Sequence, residues 1–401
     1  MTLHLSWITC ASCSGRYGMA EASITVSAPS DLATLADGSA LYGYVHPETS
    51  RVLVVGDERA AKGLAGVQLV GWLEPMDADA ANGGQAAALV ARRGSTPEEL
   101  HLQWRGQACA IEPYSLETDL FSRHSSLLET AALAQSGVIV CGCGSVGSLA
   151  ALDLARSGVG RFLLIDPDLL AIENLCRHQC GLADVGRRKV KAVAERLRQI
   201  NPRAEVHTHA IALERLDPAI VASFCSGNRD TLMLACADSR RADRHAARLA
   251  ATLALPFLAI GLWERAFAGE IFYSHPDAPM PCYGCAFEGL AEELASRPEP
   301  RRRFYSNEVD AEKLSFQPGI AIDIAHVTGI GLKLAIDLLN RSNPNHVPRL
   351  LGQLSQYTLI CNSNDQRLGG ERAEIFSHPL QVTTSIQVAY GKTCPPCRWS
   401  S

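Results

Sequence analysis

Residues Val138 to His178 constrain this chain more than any other stretch. Val138 to Val140 is a short β-branched run of the kind that forms a buried strand. It leads into Gly142-Cys143-Gly144-Ser145-Val146-Gly147, a G-x-G-x-x-G turn. Ser148 to Ser157 has the apolar spacing of a helix, and Arg161 to Ile165 returns as a second strand ending at Asp166. This is a βαβ unit with a glycine turn at the carboxyl end of its first strand. Such a turn brings bare amides and a helix N-terminus against phosphates. An acid about twenty positions later suits a ribose hydroxyl. The unit by itself predicts a bound nucleotide and nothing narrower.

The next residues narrow it. Asp166-Pro-Asp168 is followed by Asn174-Leu-Cys-Arg177-His178 and then by Val185-Gly-Arg-Arg-Lys189. Two carboxylates, an amide and two cations exceed what a dinucleotide cradle requires, and they fit ATP phosphates handled with a metal ion. The ordered set of GxGxxG, D-x-D, N-L-x-R-Q and V-G-x-x-K resembles the ThiF/MoeB and ubiquitin-activating adenylyltransferase superfamily. Every element is present except the Gln, where this chain has His178. The resemblance implies an α/β fold with a Rossmann-like doubly wound sheet over residues 116–401.

With 401 residues, two to three domains are expected. Residues 1–115 lack a motif with evident chemistry and read as a separate small α+β domain. The composition is that of a globular chain, and a net charge of −5 without long Lys/Arg runs argues against a nucleic-acid surface. Arg301-Arg302-Arg303, flanked by prolines, reads as a solvated loop. No stretch approaches the ~20 apolar residues that span a bilayer. The first residues lack a basic start followed by an apolar core, so no signal peptide is expected. Fourteen cysteines without an export signal predict a reducing, cytoplasmic setting.

In the N-terminal region, strands are expected at Ala22–Ala28, Leu41–Val45, Arg51–Val55, Gly66–Leu73 and Leu100–Ile111, with His46–Ser50 as a turn. Asp77 to Arg93 is Ala-rich and reads as a helix. Val70-Gly-Trp72 resembles JAMM-type peptidase folds, yet the metal-binding His-x-His-Pro is missing, so such a domain would be inert. Cys10 and Cys13 form a lone CxxC and read as ordinary surface or core thiols. Farther along, Lys189–Ile200 is a helix by its period. Val206–Ala210, Thr231–Ala235, Leu255–Gly261, Gly269–Tyr273 and Tyr357–Cys361 read as strands, and Gln381–Val388 as helix or strand.

Glu117 to Gln135 has helical spacing and contains Phe121-Ser-Arg123-His124. The superfamily has an arginine segment just before the glycine turn. The resemblance therefore implies that Arg123 reaches the nucleotide phosphates, often across a homodimer. Cys236-Ala237-Asp238 ends a buried strand and resembles the segment whose Asp holds the magnesium of ATP; a helix cap is the competing role for Asp238. Cys282/Cys285 and Cys394/Cys397 are two distant CxxC pairs, which favours a four-cysteine structural zinc site. Residues 286–316 are polar and Pro-interrupted, and match the crossover that guides an incoming protein tail; a helix follows from Gln317 to about Asn340.

The resemblance implies that a C-terminal carboxylate, typically the Gly-ending tail of a ubiquitin-like protein, attacks the α-phosphate of ATP. Gly142, Gly144, Ser145 and Gly147 would approach the phosphates, with Asp166 on the ribose and Asp168 beside it. Asn174, Arg177, Lys189 and Arg123 would neutralise charge, and Asp238 would hold magnesium. There is no cysteine between Cys285 and Cys361, where thioester-forming relatives often carry one. Cys176 and Cys180, beside Arg177, are the nearest candidate nucleophiles, since cations lower a thiol pKa. Otherwise the adenylate passes to another thiol or amine, possible on a downstream conjugating protein. The alternatives are adenylation of a peptide or small-molecule carboxylate, an NAD-binding oxidoreductase, or a silent scaffold.

Overall fold

The computed structural model describes residues 24–75, 88–94, 99–124, 126–227, 230–286 and 318–391. Cys10, Cys13, Arg301–Arg303, Cys394, Cys397 and all but the first residue of the expected crossover lie outside these. The chain divides into two compact units: residues 1–62 with 66–115, and residues 63–65 with 116–401.

Among the described residues, the first unit is one mixed eight-stranded sheet. Its strands are β1 (Thr25–Pro29), β2 (Ala40–His46), β3 (Arg51–Gly56), β4 (Gln68–Glu74), β5 (Leu89–Arg93), β6 (Leu100–Trp104), β7 (Gln107–Ala108) and β8 (Ala110–Tyr114). They lie in the order β7-β6-β5-β4-β2-β3-β1-β8. Val26, Leu41, Val54, Leu73, Leu89 and Trp104 fill its core. A four-residue helix, α1 (Glu58–Ala61), starts at Asp57, whose side chain accepts from the amides of Arg59 and Ala60. Two expectations change here. Leu89–Arg93 is a strand paired in parallel with β4, and not the end of a helix, because Leu89 and Ala91 alternate into the core. Leu100–Ile111 is not one strand but β6, β7 and the start of β8, with Arg105 and Gly106 at φ 51° and 82° making the tight turn between β6 and β7.

The second unit is built on strands β9 (Gly137–Cys141), β10 (Arg161–Ile165), β11 (Glu205–His209), β12 (Thr231–Ala235), β13 (Phe257–Leu262), β14 (Ala268–Ser274), β15 (Tyr357–Cys361) and β16 (Val382–Thr383). Their order is β11-β10-β9-β12-β13-β14-β15-β16. The first five are parallel and the last three antiparallel. The helices are α2 (Thr130–Gln135), α3 (Ser145–Arg156), α4 (Lys189–Ile200), α5 (Pro218–Cys225), α6 (Arg240–Thr252), α7 (Ala321–Leu339) and α8 (Gln366–Gly369). β9 is apolar throughout because both faces are covered. Val138 and Val140 pack in the cluster that holds residues of α3, α4 and α7, while Ile139 and Cys141 pack in the one that holds α5 and α6.

Strand order reverses between β9 and β12, so the loops after these two strands open a crevice at the sheet's carboxyl edge. Those loops carry the glycine turn and Asp238. The expected helix Glu117–Gln135 is instead a 3-10 turn at Ser122–His124 and the short α2, separated by Ser126 at φ 64°, a left-handed conformation that no helix continues through. Of Gln381–Val388, only Val382–Thr383 is regular, as the edge strand.

Candidate active site

The glycine turn is fixed by its own backbone before any ligand is considered. Gly142 has φ +97°, which a side chain rarely adopts. A Cβ at Gly147 would lie 1.8 Å from the Gly142 carbonyl oxygen, so the helix can approach the strand this closely only with a glycine there. Gly144 differs. It is the N-cap of α3 without a side-chain cap, and a Cβ there would meet nothing within 4 Å. The chain's own packing does not require a glycine at 144. The open space lies at an uncapped helix N-terminus, where a phosphate is stabilised by free amides and the helix dipole.

Two carbonyl-edge loops meet at this turn. A Cβ on Gly142 would sit 3.0 Å from the Cys236 oxygen and 3.1 Å from Ala237 Cα, so Asp238 follows directly on a residue touching the turn. Asp238 is exposed at the end of β12. It does not cap α6: Ser239 is the N-cap, and its hydroxyl accepts from the Ala242 amide. A single exposed carboxylate beside a phosphate cradle fits Mg²⁺, which keeps most of its waters and takes one or two carboxylates together with substrate phosphates.

The other candidates fall in the loop between β10 and α4. Asp166 is buried; its Oδ2 accepts from the Cys143 amide at 2.7 Å and its Oδ1 from the Asp168 amide at 2.8 Å. Burial lifts its carboxyl above the usual range, against the pull of those amides and Lys189. Asp168 is exposed and pairs with Lys189, Nζ to Oδ2 2.8 Å. The Asn174 side chain accepts from the Ala171 amide at 3.0 Å and caps a 3-10 turn. Arg177 is half-buried in the same loop. Arg123 is exposed on its 3-10 turn, and Arg349 ties that segment down by donating to the Leu127 carbonyl at 2.6 Å.

The candidate nucleophiles part company. Cys180 is buried, and burial pushes its thiol up to about 11 despite Arg196 and Arg187 nearby, so the expected lowering by cations does not occur there. Cys176 is exposed, with its Sγ 3.4 Å from the Glu173 carbonyl. Cys141, Cys143 and Cys236 are buried, packed in the strands and the turn.

At the sheet's far end, Cys282 and Cys285 hold their sulfurs 3.7 Å apart. Ligands 2.3 Å from a tetrahedral zinc are about 3.8 Å from each other. The Gly391 amide donates to Cys285 Sγ at 3.1 Å, which brings the chain leading to Cys394 up to the first pair. Among the described residues no group of three His, Cys, Asp or Glu could hold a metal.

Sequence reasoning missed a polar network around Glu270 and Asp243, both buried, which Arg240, two residues after Asp238, joins. Glu270 on β14 accepts from Trp263 Nε1 at 3.0 Å and Tyr357 OH at 2.6 Å, and pairs with Arg240. Arg240 donates to Tyr283 OH, which donates to Asp243. Tyr283 lies between the two cysteines, so one side chain joins the CxxC turn to the start of α6. Burial pushes the Asp243 carboxyl up to about 7, with Arg240 and Tyr283 opposing. A raised acid favours the folded state below its unfolded value near 4, and that contribution is lost as pH rises to about 7. The native protein should thus lose on the order of 4 kcal/mol across this window. Asp243→Asn is expected to flatten the unfolding midpoint over pH 4–8 relative to wild type; parallel curves would contradict the assignment.

A glycine turn at the switch point of a doubly wound sheet, with an acid at the neighbouring strand end, defines a nucleotide-handling α/β protein. The ThiF family profile matches residues 118–367, and the chain belongs to the ThiF family. It is 29% identical over 210 residues to a ubiquitin-like modifier-activating enzyme 5 from Culex quinquefasciatus, covering 50% of this chain and 52% of that one. Over 80 residues it is 50% identical to the tRNA threonylcarbamoyladenosine dehydratase of Bacillus subtilis (strain 168), covering 20% and 31%. The chain thus spans about half or less of the length of these curated relatives. Among solved structures, E. coli MccB with ATP matches at TM-score 0.48 and 17% identity, over 70% of this chain and 74% of that one. No helix of the described residues is long and apolar enough to cross a membrane.

Proposed function

We propose that this chain adenylates the C-terminal carboxylate of a ubiquitin-like or sulfur-carrier-type protein. A carboxylate oxygen attacks the α-phosphorus of ATP as pyrophosphate departs, giving an acyl-adenylate for later transfer to a thiol or amine. The observation that carries the reading is the open space at Gly144, over an uncapped α3 N-terminus, with Asp238 one residue from the turn. The reaction needs charge neutralisation more than proton transfer.

The α3 amides and Ser145 take the phosphates, and Arg177, Lys189 and Arg123 neutralise them. Lys189 is held by Asp168 until the phosphates arrive. Asp166 keeps a lone pair on each oxygen for the ribose, and Asn174 shapes the loop that presents Arg177. Asp238 would hold magnesium, which would supply charge neutralisation to the phosphates. Cys282, Cys285, Cys394 and Cys397 would bind zinc as a structural staple. Arg123 serving a neighbouring copy would make the enzyme a homodimer. With Cys180 buried and its thiol raised, the adenylate passes directly to an acceptor from another protein, or through the exposed Cys176.

Asp238→Ala is expected to lower magnesium-dependent ATP–pyrophosphate exchange about a hundredfold or more, in the range seen when one transition-state charge partner is removed. Arg177→Ala should fall in the same direction. Full exchange in either variant would sink these roles. The 80-residue stretch shared with the dehydratase favours one second reading, adenylation of a non-protein carboxylate by the same site.

A further inference from the structure

His178 stands where the superfamily pattern has Gln, and the geometry gives it a definite task. It is buried, and its Nε2 lies 2.8 Å from the carbonyl oxygen of Cys143, 35 positions earlier in the chain. Its Nδ1 accepts from the Cys180 amide at 3.0 Å. A nitrogen that accepts a hydrogen bond carries no proton, so the ring is neutral, protonated on Nε2, and donates to Cys143. Asp166 takes the amide of the same residue at 2.7 Å. Cys143 is therefore gripped at both its N–H and its C=O, and it is the residue between Gly142, the turn, and Gly144, the N-cap of α3. The plane of the Cys143–Gly144 peptide sets the direction of the Gly144 amide and of the helix amides after it.

We propose that His178 is a positioning residue of the phosphate turn: its neutral imidazole latches the Cys143 carbonyl and so aims the amides at the nucleotide. This rests on the ATP site described above and adds a residue and a pH response to it. Protonation at Nδ1 would place an N–H against the Cys180 N–H, so the ring must leave its seat and release Cys143. Four charged groups face the ring. Lys189 and Arg196, both on α4, disfavour the imidazolium and Asp184 favours it, while Asp166 lies across Cys143. Burial is the largest influence and holds the imidazole below the ordinary histidine range. The sign follows: the latch is closed at neutral pH and opens as pH falls through that lowered value.

Glutamine can donate through its amide nitrogen and accept through its oxygen without titrating. The test is ATP binding by calorimetry on the full chain, from pH 5 to 8, for wild type, His178→Ala and His178→Gln. His178→Ala is expected to weaken ATP at pH 7.5 by about tenfold, the size of one lost hydrogen bond to a buried carbonyl. His178→Gln should restore most of that affinity. Wild type should lose affinity in acid, and His178→Gln should not. Circular dichroism at the same temperature establishes that each variant is folded, and if His178→Ala fails to fold, the wild-type and Gln profiles decide alone. Folded His178→Ala with wild-type affinity, or a Gln variant with the same acid loss, overturns the latch. Wild type that binds ATP but supports no exchange would sink the adenylation reading and leave the latch standing; wild type that binds no ATP overturns both.

Discussion

Gly147→Ala should be strongly destabilising, because the added methyl group would strike backbone. The added Cβ would lie 1.8 Å from the Gly142 oxygen, 2.9 Å from its carbonyl carbon and 3.3 Å from Val140 Cγ1. Relief would require α3 to move off β9 or the turn to swing out. The turn cannot swing, because Asp166 and His178 hold Cys143 from both sides. α3 cannot slide, because Ala150, Ala151 and Leu154 are fully buried. In an exposed helix the same change would gain about 1 kcal/mol of helix propensity. Overpacking in a closed core costs about 1–3 kcal/mol and more where backbone is struck, so a net loss of roughly 2–3 kcal/mol is expected. Urea unfolding measures it. Gly144→Ala is the control, with no contact within 4 Å at its Cβ. It should leave the unfolding midpoint within about 0.5 kcal/mol of wild type, while weakening ATP binding at least tenfold by filling the phosphate space. Equal stability losses in the two variants would contradict this account of the turn.

If the four cysteines hold zinc as proposed, its removal should have an effect at least as large. The 3.7 Å sulfur separation at Cys282 and Cys285 suits a tetrahedral thiolate pair, and Gly391 already reaches Cys285. One zinc per chain is expected by metal analysis, reduced to well under half in Cys282→Ser. Bound metal stabilises only the folded state. Chelation should therefore cost about 3 kcal/mol or more, a fall of roughly 6–12 °C in Tm. The effect should extend past the cysteines. Tyr283 sits between them and bonds Arg240 and Asp243 at the head of α6, two residues after Asp238. Zinc-free protein should accordingly bind magnesium–ATP more weakly than zinc-loaded protein does. A zinc-free protein of unchanged Tm would remove the staple.

The contrast between what could and could not be anticipated lies in sequence distance. β9, the glycine turn, β10 and α4 are written locally: a β-branched run, glycines at fixed offsets, a return strand and a helical period each declare themselves within a dozen residues. Leu89–Arg93 is obscured by Ala-rich neighbours, and pairing with β4 and β6 makes it a strand. The break near Ser126 depends on one left-handed residue that no composition signals. Asp238 and Ser239 are adjacent candidates for the same cap, and only the hydroxyl's bond to Ala242 separates them. Charge proximity in the sequence suggested a reactive Cys180, yet its burial outweighs the nearby arginines. His178 was visible as a departure from a pattern, whereas its reach to Cys143 is a product of the folded loop. The Glu270–Arg240–Tyr283–Asp243 chain joins β14, α6 and the CxxC turn and has no local signature.

The most direct measurement is ATP–pyrophosphate exchange with magnesium, comparing small proteins and peptides that end in Gly with the same chains lacking that residue. The account predicts exchange that appears only with a Gly-ending tail and that disappears in Asp238→Ala. Exchange with a small carboxylate and none with any protein tail would contradict the proposed substrate, and no exchange with either would contradict adenylation itself.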